Sequence, residues 1–240
     1  MQEMKTVQPL LADVEEQVLR ANVERVLNTL EENRCQNEPP SRLIAVTKTV
    51  APNVINHLKG LGILDIGENR AQVALPKLPE IAPEFRLHWI GRLQTNKVKG
   101  IIDDVCMLHA LDRMELAQEV DRRAGERGRV LPALVQVNIA GEEQKGGLVP
   151  AELLPFLRQM KDFHNLHVEG LMAIMPLHAS EDELTRLFRG MRSLFEQVRE
   201  EAMEHVEMRE LSMGMSNDYA IAAREGATMV RIGTALYRRD

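Results

Sequence analysis

Residues 42–48 read Arg-Leu-Ile-Ala-Val-Thr-Lys, and the prediction of the fold begins with this stretch. A short apolar run containing β-branched residues predicts a buried strand. The run ends at Lys48, and Pro52 stops any extension of the strand. Lys48 is therefore expected at the carboxyl end of the first strand.

The same pattern recurs along the chain. Short apolar runs occupy residues 43–47, 63–67, 87–91, 105–111, 134–139, 168–174, 209–213 and 229–236. Longer amphipathic segments, such as residues 151–162 and 183–208, separate most of them and have a helical period. Repeated βα units predict a parallel sheet, and eight of them favour an α/β fold closed into a (β/α)₈ barrel. An open doubly wound sheet is the alternative, although it often carries a GxGxxG turn after its first strand and this chain has none there.

The N-terminal region predicts one further helix, within residues 1–36, packed on the barrel. Its apolar residues recur at steps of three and four: Leu10, Leu11, Val14, Val18, Ala21, Val26, Leu27 and Leu30. The polar, proline-broken segment 37–40 ends this region, and no linker divides the rest. We therefore expect residues 1–240 to form a single domain.

Composition narrows the function. The net charge of −6 is mild and the charges are interspersed, which argues against a nucleic-acid surface. No stretch approaches the roughly 20 apolar residues of a membrane span, and no secretory leader is visible. Cys35 and Cys106 form no CxxC pair, and the histidines lack metal-ligand spacing, so we interpret the histidines as structural or surface residues and expect no metal. These features predict a cytoplasmic protein and leave a small anionic ligand open.

The segments at the seventh and eighth strands are candidates for a phosphate site, which commonly forms there in (β/α)₈ barrels. The seventh strand leads into Ser212 and then Ser216, which we interpret as a helix N-cap, and Gly226 is placed to end that helix. The eighth strand leads into Gly233 and Thr234. Exposed backbone N–H groups and serine hydroxyls suit a phosphate. Alternatively, Ser216 only caps a helix and Gly233 only fits a crowded strand end.

Lys48 adds a second chemistry at the same end of the barrel. A partly desolvated lysine near other cations would have a depressed pKa and could attack an aldehyde. An aldehyde that carries a phosphate fits both sites, and pyridoxal phosphate (PLP) is such a molecule. Alternatively, Lys48 is an ordinary solvated lysine. Polar segments 67–70, 91–97 and 141–147 predict a cationic rim around the mouth, although each could be a simple turn.

Seven ordered segments resemble motifs of the pyridoxal phosphate homeostasis proteins, the YggS/PROSC-like family. They are residues 45–50, 66–70, 88–97, 144–147, 170–174, 211–218 and 230–234. The chain departs from the family pattern at residues 235–240, where a glycine and arginine turn is usual, and at Gln72-Val73, where an acidic residue often follows.

The resemblance implies a barrel like the N-terminal domain of alanine racemase, with PLP held as a Schiff base on Lys48. The residues that it assigns to the cofactor site are Lys48, Asn69, Ser212, Ser216, Arg231, Gly233 and Thr234. Ser212, Ser216, Gly233 and Thr234 would bind the phosphate. Arg231 would face the pyridine nitrogen, and Asn69 would border the ring. An arginine at that nitrogen makes the cofactor a poorer electron sink.

The implied role is PLP (vitamin B6) homeostasis without catalytic turnover, by storing, buffering or delivering the cofactor. We therefore expect no enzyme, a monomer, and transient contact with PLP-dependent apoenzymes. An amino-acid racemase is the main alternative, but it needs a catalytic tyrosine from a second domain, and this chain has only Tyr219 and Tyr237. A barrel enzyme that uses Lys48 without a cofactor is a third interpretation. The loop around Lys145 is a candidate for assisting release.

Overall fold

The computed structural model describes residues 10–36, 38–142 and 144–238. Its strands are β1 (Arg42–Val46), β2 (Asp65–Glu68), β3 (Arg86–Trp89), β4 (Val105–Leu111), β5 (Leu131–Gln136), β6 (Leu166–Met172), β7 (Val206–Ser212) and β8 (Met229–Ile232). Its α-helices are α1 (Glu16–Glu32), α2 (Pro52–Gly60), α3 (Ala71–Ala74), α4 (Thr95–Ile101), α5 (Met114–Gly125), α6 (Pro150–Leu157), α7 (Glu181–Arg199), α8 (Tyr219–Arg224) and α9 (Thr234–Tyr237). Short 3₁₀ helices cover Leu75–Glu80 and Met160–Asp162.

The eight strands form a closed barrel in chain order, which confirms the predicted fold class. Every pairing of neighbouring strands is parallel, and β8 returns to pair with β1. Ala45 closes the ring because it is in register with Ile66 on one side and Ile232 on the other. All strands therefore present their carboxyl ends at the same mouth, which is where barrel enzymes build their sites.

Two apolar layers hold the barrel. A large cluster fills the space between the strands and the helices, with members such as Trp89, Leu108 and Phe188. A smaller cluster lies inside the ring and consists of Ile44, Met107, Ala110, Leu134, Met172 and Met229. Because strands in a parallel barrel are covered on both faces, they appear in the sequence as nearly continuous apolar runs.

Helix α1 packs against α9, α8 and α2. It buries Leu19, Val23, Val26 and Leu30 on one face, whereas the predicted face had omitted Leu19 and Val23. Leu27 was predicted to be buried but is 38% exposed, because it lies about 100° around the helix from Val26. The helix begins at Glu16, and the predicted part at residues 1–9 lies outside the described residues.

The main error in the predicted strands is at the last one. The apolar run 229–236 was predicted as one strand, but β8 ends at Ile232 and Thr234–Tyr237 forms α9. The chain turns at Gly233, whose backbone dihedrals are φ −116° and ψ −81°. The Asn22 side chain of α1 then donates to the carbonyls of Leu236 (3.0 Å) and Arg238 (2.9 Å) and so caps α9. The division of the chain into one domain stays a prediction.

Within the described part of the chain, no helix combines the length and the apolar character needed to span a membrane.

Candidate functional site

Lys48 lies at the mouth, two residues beyond the end of β1 at Val46. Ile44 belongs to the interior cluster, and because side chains alternate along a strand, Val46 continues the same face. The prediction that Lys48 is partly desolvated is wrong for this structure, since its side chain is exposed.

The corner between β7 and β8 brings hydrogen-bonding groups to one serine. Ser216 Oγ accepts from the backbone N–H groups of Gly233 (3.3 Å) and Ala235 (3.2 Å). Ser216 is not the helix N-cap that the sequence suggested. The cap of α8 is Asp218, and its carboxylate accepts from Met215 N (2.6 Å). Two N–H donors and a hydroxyl therefore converge where the sequence predicted a phosphate cradle.

The end of α8 agrees with the prediction. The last cap residue is Glu225, and Gly226 follows with φ 88°, the left-handed conformation that glycine supplies at a helix end.

The serine corner is adjacent to the strand that carries Lys48. A Cβ placed on Gly233 would lie 3.4 Å from Val46 Cβ, two residues before Lys48. Ile232 is the register partner of Ala45, so the chain after β8 and the chain after β1 leave the barrel side by side. The structure thus brings Lys48, Ser216 and Gly233 to one side of the mouth. Thr234 follows directly and is exposed.

Arg231 points into the barrel below this corner. It is 3% exposed, and its guanidinium donates to Ser212 Oγ (2.6 Å) and to the Ala173 carbonyl (2.7 Å). Burial lowers the pKa of Arg231 to about 10, against the opposing effect of Asp218. Arg231 is therefore still protonated at neutral pH and is held by fixed acceptors.

Asn69 follows β2 on the same rim. Its Oδ1 atom is buried and has no hydrogen-bond partner among the residues that the structure describes. A Cβ placed on Gly91 would come within 2.5 Å of Asn69 Cβ, so only glycine allows the next loop to pack against this asparagine. A buried acceptor without a partner is costly, and a ligand at the mouth would relieve that cost.

Sequence reasoning missed a buried ion pair beside Lys48. Lys77, on the 3₁₀ helix Leu75–Glu80, is 4% exposed and pairs with Glu68, which is 2% exposed. Lys77 also donates to the Thr47 carbonyl (2.8 Å), and Thr47 Oγ1 donates to Glu68 Oε1 (2.7 Å). These contacts fix the backbone at the residue before Lys48. Nothing in the spacing of Lys77 distinguishes it from a surface lysine.

His88 and His109 were interpreted only as structural or surface residues. Both are buried in the barrel interior, and His109 is bonded to Ser212 (3.0 Å between Nδ1 and Oγ). The signal that could have identified them is their position in strands, where an inward-facing histidine needs a polar partner. Among the described residues, no group of three or more His, Cys, Asp or Glu side chains is arranged to hold a metal ion.

The predicted cationic rim is partly neutralised. Arg113 and Arg92 both pair with Asp112. Lys145 pairs with Glu142 and donates to the Met175 carbonyl (3.1 Å). Its role in release stays a prediction.

Comparison with known proteins identifies the class. Residues 14–239 match the family model of the alanine racemase N-terminal domain. An alanine racemase of Clostridium difficile superimposes with a TM-score of 0.70 at 16% identity, covering 98% of this chain and 60% of the racemase, and this likeness shows the fold alone. The chain is thus a barrel of the alanine racemase N-terminal type.

Closer relatives narrow the class to one family. A pyridoxal phosphate homeostasis protein of Aquifex aeolicus is 39% identical over 217 residues, which cover 89% of this chain and 94% of the relative. One from Synechocystis is 38% identical over 202 residues, covering 83% and 92% of the two chains. PipY of Synechococcus elongatus, solved with PLP bound, superimposes with a TM-score of 0.81 at 32% identity, covering 92% of this chain and all of PipY. This chain belongs to the pyridoxal phosphate homeostasis protein family.

Proposed function

We propose that this chain binds PLP at the barrel mouth, with Lys48 as the covalent attachment point, and that it takes part in intracellular PLP homeostasis by buffering or delivering the cofactor. The observation that carries the proposal is the meeting of Lys48 with the serine corner on neighbouring strands. An amine and an anion cradle at one end of a barrel match the two reactive ends of a phosphorylated aldehyde. The solved PipY structure contains the same cofactor in the same fold.

The residues at the mouth fit each part of the cofactor. Ser216 and the N–H groups that meet it would bind the phosphate, together with Thr234 at the start of α9. Arg231 would donate to the pyridine nitrogen, and Asn69 would border the ring. When bound, the cofactor supplies an electrophilic aldehyde and an electron-withdrawing ring. A protonated arginine at the nitrogen keeps the ring unprotonated and weakens that withdrawal.

Ser212 fits the phosphate role less well than the sequence suggested. Its hydroxyl is completely buried and already lies between Arg231 and His109. The prediction that Ser212 binds the phosphate therefore stays untested, and we place the phosphate with Ser216.

We also propose that the chain has no catalytic turnover, acts as a monomer and meets PLP-dependent apoenzymes only transiently. A racemase needs a second acid or base on the far side of the ring. Tyr237 is a poor candidate because it is buried and burial raises the pKa of its phenol. Conversion of either alanine enantiomer by the purified protein, lost in Lys48→Ala, would refute this part of the proposal. Sedimentation and transfer of PLP to a purified apoenzyme would test the rest.

The attachment point can be tested directly. We expect purified protein incubated with PLP to be yellow, and borohydride reduction followed by peptide mass analysis to place a pyridoxyl group on Lys48. Lys48→Ala should abolish the visible band, whereas Lys99→Ala, a control for an exposed lysine on α4, should keep it. A reduced pyridoxyl group on any other lysine would overturn the assignment.

The phosphate cradle needs a separate measurement. Ser216→Ala should weaken the binding of PLP by about tenfold or more, because a hydrogen bond to a charged group contributes about 1.5–3 kcal/mol. Ser193→Ala is a suitable control, since Ser193 lies on the exposed face of α7 and donates only to the Arg189 carbonyl (3.0 Å). Equal PLP affinities in titrations of the two variants would remove Ser216 from the site.

A further inference from the structure

A chain of hydrogen-bonded polar side chains crosses the barrel interior from the start of β2 to the mouth. We call it the interior relay, and its members are Asp65, His88, His109, Ser212 and Arg231. His88 Nε2 lies 2.8 Å from Asp65 Oδ1, and His88 Nδ1 lies 2.9 Å from His109 Nε2. His109 Nδ1 lies 3.0 Å from Ser212 Oγ, which accepts from Arg231 at 2.6 Å. All five side chains are buried, with exposed fractions of 4%, 3%, 0%, 0% and 3% in the same order.

Asp65, at one end of the interior relay, sets the direction in which the hydrogen bonds of the relay are donated. Burial acts to raise the pKa of Asp65, but hydrogen bonds from Arg86 and His88 outweigh burial and hold that pKa well below its usual range. Asp65 is therefore ionised and can only accept hydrogen bonds. His88 Nε2 must carry a hydrogen and donate it to Asp65.

The charge of the two histidines follows from their neighbours. Burial is the main cause that holds the pKa of His109 well below its ordinary value, and the positive charge of Arg231 acts in the same direction, so His109 is neutral and carries one hydrogen. Asp65 is already paired with Arg86 (2.6 Å), whose side chain is 53% exposed, so a cationic His88 would add a second cation, and a buried one, to the same carboxylate. A neutral His88 accepts at Nδ1, which leaves His109 to donate from Nε2.

The other groups around the histidines do not change this charge balance. Arg42 on β1 pairs with Glu210 on β7. Cys106 on β4 remains a neutral thiol because burial raises its pKa to about 12. On β5 and β6, Leu134 and Met172 line the interior.

We propose that His88 and His109 are positioning residues that turn the Ser212 hydroxyl away from the mouth and make Ser212 a fixed acceptor for Arg231. The proposal rests on the proposed function, in which Arg231 donates to the ring nitrogen of PLP. Every donor then points the same way, from Arg231 through Ser212, His109 and His88 to Asp65. With its one hydrogen committed to His109, Ser212 has none for the phosphate. Asp65, the final acceptor of the relay that holds Arg231, therefore lies at the end of the barrel opposite the mouth.

The histidine tautomers test the direction without any cofactor. In protein labelled with ¹⁵N at histidine and free of PLP, long-range ¹H–¹⁵N spectra near about pH 8 should show each of the two rings with its hydrogen on Nε2. A hydrogen on His109 Nδ1, or a cationic His88, would reverse the relay and overturn the inference. PLP plays no part in this readout, so failure of the proposed function would leave it unaffected.

Two substitutions at His88 test the link to the mouth. His88→Leu removes the acceptor for His109, so we expect a mixture of His109 tautomers, a shifted visible band of bound PLP and about fivefold faster loss of PLP. His88→Gln can still donate to Asp65 and accept from His109, and it should restore all three. His164→Leu alters an exposed histidine whose ring meets that of His205 edge to face, and it should leave the His109 resonances unchanged.

The outcomes separate positioning from packing. If His88→Gln fails to restore the His109 tautomer, or if His88→Leu leaves that tautomer and the visible band unchanged, the relay does not position Ser212. If His88→Leu does not fold, the wild-type and His88→Gln spectra still decide the direction.

Discussion

Lys77→Met should reveal how the end of β1 is held. The substitution keeps the length of the side chain but removes the ammonium that pairs with Glu68 and donates to the Thr47 carbonyl. Both ionic side chains are almost inaccessible, at 4% and 2% exposed. Removing one partner of a buried pair leaves an uncompensated charge, which typically costs about 3–5 kcal/mol.

A double-mutant cycle assigns this cost to the pair. Glu68→Gln on the Lys77→Met background removes the uncompensated charge while an amide oxygen remains to accept from Thr47 Oγ1. We therefore expect the double variant to lose less stability than the sum of the losses in the two single variants, with a coupling energy of about 1–3 kcal/mol. The measurement is the free energy of unfolding in urea near neutral pH.

The surface pair of Lys59 and Glu84 is the matched control. Its atoms are 2.8 Å apart, but the side chains are 46% and 50% exposed. Lys59→Met should cost less than about 1 kcal/mol. A Lys77→Met effect as small as this, or strictly additive effects in the cycle, would refute the role given to the buried pair. Because Thr47 precedes Lys48, we also expect Lys77→Met to release PLP faster than wild type.

Two further substitutions test the neutral state of buried His109 and the close backbone contact at Gly170. His109 is neutral in the folded protein, whereas in the unfolded chain it gains a proton below about pH 6.5. The stability that neutral His109 contributes is therefore complete above that pH and is lost as the pH falls. The free energy of unfolding then decreases by at most about 1.4 kcal/mol per pH unit. His109→Gln should therefore lose about 2 kcal/mol less than wild type or His164→Gln between about pH 7 and pH 5 in urea unfolding, and identical slopes would contradict this. Gly170→Ala should destabilise by more than about 3 kcal/mol, since its Cβ would lie 1.8 Å from the Glu210 carbonyl oxygen. Gly60→Ala in α2 is the control, because its Cβ would meet nothing within 4 Å, and it should stabilise by about 0.5–1 kcal/mol in the same assay. Equal effects at Gly60 and Gly170 would exclude the clash of a Gly170 Cβ with Glu210.

Much of the barrel was predictable because its strands are buried on both faces. The apolar runs near residues 43, 105 and 229 all became strands, since burial on two sides leaves a continuous apolar signal in the sequence. The error at residues 229–236 has the same origin. An apolar run at a crowded barrel end is equally compatible with a strand or with a short buried helix, and the turn at Gly233 decides between them.

The candidate site was predictable in part for a different reason. Lys48, Ser216 and Gly233 lie within four residues after the ends of strands, and the carboxyl ends of parallel strands must meet at one mouth. The two histidines that continue the hydrogen bonds of Ser212 were not predictable. His109 on β4 and His88 on β3 come from the other side of the ring, and their positions depend on a register that shifts between Leu87 and His88.

The sequence by itself determined the repeating βα order, the end of the barrel at which Lys48 lies, and the family. Periodicity and ordered motifs depend only on the order of the residues along the chain. Only the tertiary structure decided that Lys77 is buried against Glu68 and that two histidines join Asp65 to Arg231. Such contacts join residues on different strands and helices, and their energies depend on burial and on hydrogen-bond direction. Both of these exist only after the ring has closed.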